Sequence, residues 1–323
     1  MTRSQFLAAL LAWPFAGPGR AATGASAPVR LVVGYAAGAT LDTLARQLAA
    51  RMALVLGRSV IVENRPGAGG RIASEWVRHA PADGLTLLLT PSAPMAIFPH
   101  SHAVPLRYDP LRDFAPVAHL CRFQTGLAVG RSVPATTLAD YIAWVRTDPP
   151  RHGFYASAAT GSTPHFIFVM LARAEGVPLT HVPYPGTAAA MRALASGEIA
   201  ALATGMGDLR TLVKNGQARV LAVNGEQRDP VLSEVPTFRE LGHDLVSTSW
   251  YALFARRGLP ARSAEALSGA ALDALSDPAL RRFLVERGLE PTGWGPEALA
   301  AVLASDHERW GRLVRAIGFQ TGN

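Results

Sequence analysis

A chain of 323 residues, 49% hydrophobic and 17% charged, has globular composition and the length for two domains of roughly 150 residues each, which excludes an extended disordered protein. Its net charge of +7 rests on 31 basic residues of which only Lys214 is lysine, and the arginines are scattered from Arg46 to Arg315 without the aromatic-interleaved stripe of a nucleic-acid binder. The single cysteine, Cys121, excludes an intramolecular disulfide, a CxxC redox pair and a cysteine-built zinc site.

The N-terminus carries Arg3, an apolar stretch at residues 6–15 and then small residues, the layout of a secretory signal peptide over residues 1–27 with cleavage between 21 and 27. The apolar stretch falls short of the roughly 20 residues that cross a bilayer. An exported protein is therefore expected. Residues 29–35 then read as a strand. Apolar residues at Leu41, Leu44, Ala45, Leu48, Met52 and Val55 share one face and predict a helix over 41–56, ended by Gly57. A strand at 60–63, a helix at 72–78 and a strand at 86–90 follow, then a Pro-rich loop at 91–99. Cys121, in the apolar run 117–121, reads as a small buried hydrophobe. Further on, the pattern predicts a strand at 127–129, a helix at 138–147, a strand at 153–157, a helix at 164–175, a strand at 180–182 and a helix at 187–196. Strands at 199–204 and 219–223 flank one helix, and the chain from Arg262 onward reads as mostly helical.

Such alternation is that of parallel sheets with crossover helices, an α/β fold. Two strand-like segments, 123–129 and 248–255, separate one βα series from the next without a flexible linker. They predict a first domain of residues 28–124 plus 250–323, a second of 125–249, and a two-strand hinge between them.

Two βα loops carry the binding potential. In Tyr35-Ala36-Ala37-Gly38-Ala39-Thr40-Leu41-Asp42, Gly38 permits a tight turn, Thr40 is placed to cap the helix and Asp42 complements its dipole; free amides there form an anion site, although a plain capped turn explains the segment equally well. In Ser157-Ala158-Ala159-Thr160-Gly161-Ser162-Thr163-Pro164-His165, Pro164 fits the first helical position and Ser162 or Thr163 the cap. Ser162 and His165 also invite a hydrolase reading, but the spacing is not that of a G-x-S-x-G elbow. The glycine-rich run 65–72 lacks the Gly-Lys-Ser/Thr of a Walker loop and the third glycine of a dinucleotide fingerprint. His100 and His102 lack further metal ligands nearby, so no metal and no cofactor is expected.

The ordered set of Val62-Glu63-Asn64-Arg65-Pro66-Gly67-Ala68-Gly69-Gly70, Ala82-Asp83-Gly84-Leu85-Thr86-Leu87-Leu88, Tyr108-Asp109-Pro110-Leu111-Arg112-Asp113-Phe114-Ala115-Pro116-Val117, Val182-Pro183-Tyr184-Pro185-Gly186, Val235-Pro236-Thr237-Phe238-Arg239-Glu240-Leu241-Gly242 and the Trp250-Tyr251 strand resembles the Bordetella-type uptake (Bug) proteins. These are the extracytoplasmic binding components of tripartite tricarboxylate transporters, and the resemblance covers the whole mature chain. It implies a type II periplasmic binding fold, a small carboxylate held by main-chain amides between two domains, no catalysis, and membrane transporter subunits as partners; a monomer is the default expectation. By position, it implies contacts from Tyr35, Ala36, Gly38, Thr40, Asp42, Thr90 and Ser92 in the first domain. Ser157, Thr160, Gly161, Ser162, His165, Tyr184, Gly186 and Thr204 face them from the second. The family's usual Gly-Gly is Gly38-Ala39 here, Leu41 is bulkier than usual, and Pro185 stands where a basic residue is common. A sensor subunit feeding a membrane signalling protein is the alternative that sequence leaves open, with a periplasmic hydrolase behind it.

Overall fold

The computed structural model describes residues 27–184 and 186–321; the secretion-signal reading of residues 1–27, all but its last residue, and Pro185 lie outside the described residues. In chain order, β1 (Val29–Val33), α1 (Thr40–Leu56), β2 (Val60–Asn64), α2 (Arg71–Arg78) and β3 (Thr86–Pro91) open the chain. The Pro-rich segment expected to be a loop is instead helical, a π turn at Ala93–Ile97 running into α3 (Phe98–Ser101). Pro94 and Pro99 each fall in a first turn, where no intrahelical donor is lost, and the turn's apolar side chains are all buried.

Next come β4 (Phe114–Phe123), β5 (Thr125–Gly130), α4 (Leu138–Thr147), α5 (Pro149–His152), β6 (Phe154–Ser157), α6 (Thr163–Glu175), β7 (Thr180–Pro183), α7 (Thr187–Ser196), β8 (Ala201–Gly205), α8 (Met206–Lys214) and β9 (Ala218–Val223). A long loop leads to β10 (Ser249–Arg256), α9 (Ala261–Ser276), α10 (Pro278–Glu286), β11 (Leu289–Trp294) and α11 (Pro296–Ile317).

Two mixed sheets result. The six-stranded one has the order β11-β4-β10-β3-β1-β2, and the five-stranded one β7-β6-β8-β5-β9. Strands β1, β2 and β3 are parallel, as are β6, β7 and β8, while β10 and β4 run antiparallel in the first sheet and β5 runs antiparallel to β8 and β9 in the second. The chain passes between sheets at Gln124. Residues 123–129, read as one crossing strand, are therefore split between the two sheets. Of residues 248–255, read as the second crossing, all but Thr248 lie inside the first sheet, in β10. The reason is burial on both faces: Leu253 and Ala255 enter one core of that sheet, and Trp250, Ala252 and Phe254 the other.

Helices cover both faces of each sheet. Helices α1, α9 and α10 pack on one face of the first, and α2, the π turn and α11 on the other. Helices α4 and α6 cover one face of the second sheet, and α7 and α8 the opposite face. The two lobes meet along a seam where Phe166 of α6 packs against Trp310 and Phe319, ring centroids 5.3 and 4.9 Å away. Strand β11, not anticipated from the sequence, holds Pro291 and Gly293; it is an edge strand, a position that tolerates such residues. Among the described residues no helix is long and apolar enough to cross a membrane.

Candidate functional site

Because β1, β3, β6 and β8 each end at the same side of their sheet, the helices that follow them begin facing the gap between the lobes. The cleft is walled by Tyr35, Ala36 and Thr40 before and at the start of α1, Ser92 after β3, Ser162 at the start of α6, Gly186 at the start of α7 and Thr204 at the end of β8. The cavity between these walls is narrow, about 80 Å³. Ala39, Leu41, Phe123, Thr163, Thr187, Asp208, Ser249 and Tyr251 also line the wall and were not anticipated. Phe123, Ser249 and Tyr251 come from β4 and β10, strands that reach the cleft only through long-range pairing. Asp208 did leave a local signal, an acid in the first turn of a helix that starts at a strand end.

Helices α1, α6 and α7 start at Ala39, Ser162 and Gly186 with no side chain capping them, unlike α4, capped by Thr137, and α10, capped by Asp277. Their first-turn amides therefore retain hydrogen-bonding capacity toward the cleft, with the positive helix ends behind them. No Lys, Arg or His side chain stands among the described lining residues. Attraction for an anion must come from main-chain dipoles.

The remaining sequence-predicted residues hold the loops from behind. Gly38 adopts φ +97°, and its amide donates to Asp42. The Asp42 carboxylate also accepts from Arg46 and from Asn64 at 2.9 Å, so it is fully engaged inside the first lobe and does not face the cleft. Burial pushes its pKa up, but the hydrogen bonds from Arg46, Asn64 and Gly38 outweigh burial and hold it below the usual carboxylate range. Thr40, placed by the sequence as a cap, instead donates to Asp208 Oδ1 across the cleft at 2.7 Å. Thr90 donates to the carbonyl of Pro91, and Ser157 Oγ lies 2.9 Å from His181 Nε2. Gly161, at φ +73°, donates its amide to His165 Nδ1 at 2.8 Å. Thr160 and Tyr184 line a neighbouring compartment that shares Tyr35, Ala36 and Gly186 with the main cleft, and Tyr184 donates to Glu198.

These contacts separate Ser162 from any base. Its hydroxyl donates to the carbonyl of Ala159 at 2.5 Å, while the His165 nitrogen nearest the loop already accepts from Gly161. Burial, with a smaller contribution from His181, brings the His165 pKa down to about 3, and burial brings that of His181 down to about 4. The two rings stack neutral, centroids 4.2 Å apart, as part of the loop's scaffold. Among the described residues no group of three or more His, Cys, Asp or Glu is placed to hold a metal ion.

Asp42 gives a direct check of this division between wall and scaffold. Asp42→Ala leaves the Gly38 and Asn64 donors without their acceptor and is expected to cost about 1–3 kcal/mol of stability by chemical denaturation. Because its folded pKa is lowered, Asp42 contributes stability that is present above the ordinary aspartate pKa near ~4 and is lost as pH falls through the folded value. The difference between wild type and variant should shrink over that acid range.

A sequence model of the TctC family, described as the tripartite tricarboxylate transporter family receptor, matches residues 44–319. Protein BugT of Bordetella pertussis is 30% identical over 94% of this chain and 93% of its own length. Among solved structures, a protein of R. palustris with adipate is 33% identical, with a TM-score of 0.86 over 91% of this chain and 98% of that one. MatC from Rhodopseudomonas palustris with bound malate is 30% identical, with a TM-score of 0.83 over 89% and 98% of the two chains.

Proposed function

Because the chain belongs to the tripartite tricarboxylate transporter family of receptors, we propose that it is a periplasmic solute-binding protein whose ligand carboxylate rests on the uncapped amides of α1, α6 and α7. The observation that carries this reading is the convergence of those three helix starts on one cleft whose described lining has no basic side chain. Structurally similar proteins hold adipate and malate. The protein binds and releases its ligand without chemistry on it. Ser162 and Gly186 contribute main chain from the second lobe, Tyr35, Ala36, Thr40 and Ser92 form the first-lobe wall, and Thr204 lies at the cleft floor. The lobes close about the chain crossings at Gln124 and just before Ser249. The signal-like N-terminus directs export, and the closed form presents both lobes to the transporter's membrane subunits as a monomer.

The test is a thermal-shift and calorimetric panel of small carboxylates. A carboxylate at 100 times its Kd adds about 2.7 kcal/mol to stability. Ala188→Asp, in the first turn of α7 and on the cleft wall, is the matched control. An acid there suits the helix dipole and should leave folding intact, while its charge occupies the place of the ligand's. Loss of carboxylate binding in a folded Ala188→Asp protein is the expected outcome. Unaltered binding would place the carboxylate elsewhere.

A further inference from the structure

The cleft contains one ionisable acid that its proposed use does not explain. Asp208 sits in the first turn of α8, on the second lobe, and faces the cavity. Its Oδ1 accepts from Thr40 of the first lobe at 2.7 Å, and its Oδ2 lies 3.5 Å from Thr204 Oγ1, the limit of a hydrogen bond. An ionised carboxylate has about four acceptor positions. Two hydroxyls, one of them distant, and a weaker contact from the Thr40 main chain leave part of that capacity turned to the cavity.

The charge balance is equally incomplete. Arg287 contributes the nearest positive field, but it does not line the cavity and makes no hydrogen bond to Asp208 among the described residues. Burial accordingly pushes the Asp208 pKa up, with the Thr40 hydroxyl, Arg287, the Thr204 hydroxyl and the Thr40 main chain only partly opposing it. A neutral Asn or Ser would bridge to Thr40 without this penalty. A ligand bearing only carboxylates would add negative charge beside Asp208, with no basic side chain in the described wall to offset it. An ammonium group supplies both missing elements, a multiple donor and a positive charge. A hydroxyl supplies only the first.

On the reading of the cleft as a carboxylate receptor site, we propose that Asp208 is its specificity-determining residue and selects a zwitterion, whose ammonium group donates to Asp208 while its carboxylate lies on the amides of α6 and α7. The ligand is then an amino acid or a close relative, oriented across the cleft between the two lobes. Thr40 fixes the rotamer of Asp208 as the lobes come together.

The experiment is calorimetric titration of the full mature protein with matched sets of ligands: amino acids, the carboxylic acids that lack the amine, and the corresponding 2-hydroxy acids. L-glutamate, glutarate and 2-hydroxyglutarate form one set, and L-aspartate, succinate and malate another. The proposal expects an amino acid to bind at least tenfold more tightly than both its partners, and Asp208→Asn to reduce that preference at least tenfold. The wild-type ratios need no variant, and circular dichroism checks that Asp208→Asn folds. A wild-type preference for the amine-free or hydroxy acid would overturn the proposal while leaving a carboxylate receptor standing. Persistence of the amino-acid preference in folded Asp208→Asn would do the same. Absence of binding by any carboxylate, with or without an amine, would remove the receptor reading and this proposal with it.

Discussion

Gly207→Ala is expected to weaken ligand binding by about 10- to 100-fold while leaving both lobes folded. Gly207 is the second residue of α8, beside the cleft wall, and a Cβ there would stand 2.1 Å from the backbone oxygen of Arg287 and 3.1 Å from its carbonyl carbon. These atoms follow α10 in the other lobe and are backbone, so no side-chain rotation relieves the clash. Gly288 reinforces the point from the opposite side, at φ +67° with the Gly207 amide 3.3 Å from its own ideal Cβ. Overpacking of this kind costs about 1–3 kcal/mol, and the middle of that range, about 1.4–2.8 kcal/mol, is the 10- to 100-fold loss given.

The sign of the local effect differs from the global one, which makes the variant informative. Alanine favours a helix interior over glycine by about 1 kcal/mol, so α8 itself should not weaken. Binding should fall because the lobes cannot approach to the distance at which Thr40 meets Asp208. Small-angle scattering should show a more open particle with saturating ligand. Wild-type affinity in the variant would mean that the ligand is held without this approach of the two backbones.

How much of this was readable beforehand depends on whether the determining interaction is local. Helices α4 and α7 have the bounds read from their periodicity, since their ends are set nearby: Thr137 and Asp140 form a capping box, and Gly197 terminates α7 in the left-handed conformation. Gly57 and Gly176 end α1 and α6 in the same way. Strand β11 and the helical form of residues 93–101 were hidden because their stability lies in tertiary burial, against propensities that point to loops. The two βα loops were legible as small-residue segments between strand and helix. Which of their side chains faced the cleft was not. That depends on turn geometry, which directs Thr40 outward to Asp208 and folds Gly38 and Asp42 back onto each other. Phe123 and Tyr251 belong to the wall because sheet order sets β4 beside β10, and Asp208 because the second lobe, with β8 and α8, meets them across the cleft.

A second large effect should follow removal of Asp229. Its carboxylate accepts from Arg210 Nη2 at 2.7 Å through both oxygens, and from the amides of Val231 and Leu232. The two side chains are only 10% and 4% exposed, and Arg210 Nη1 reaches across to the carbonyl of Val285 at 3.2 Å, near the end of α10. Taking away the carboxylate would leave a guanidinium buried at the junction of the lobes with carbonyl oxygens as its remaining partners. Breaking a buried pair in this way costs about 3–5 kcal/mol, far more than the exposed pair Arg122–Glu290, for which about 0–1 kcal/mol is expected. Asp229→Ala should therefore be strongly destabilised in chemical denaturation. Pairing it with Arg210→Met should restore part of the loss, because the stranded charge goes too, but not the part owed to Val231 and Leu232. A double-mutant cycle separates these contributions. Strictly additive losses would show that the two groups act independently and that the junction does not depend on their charge.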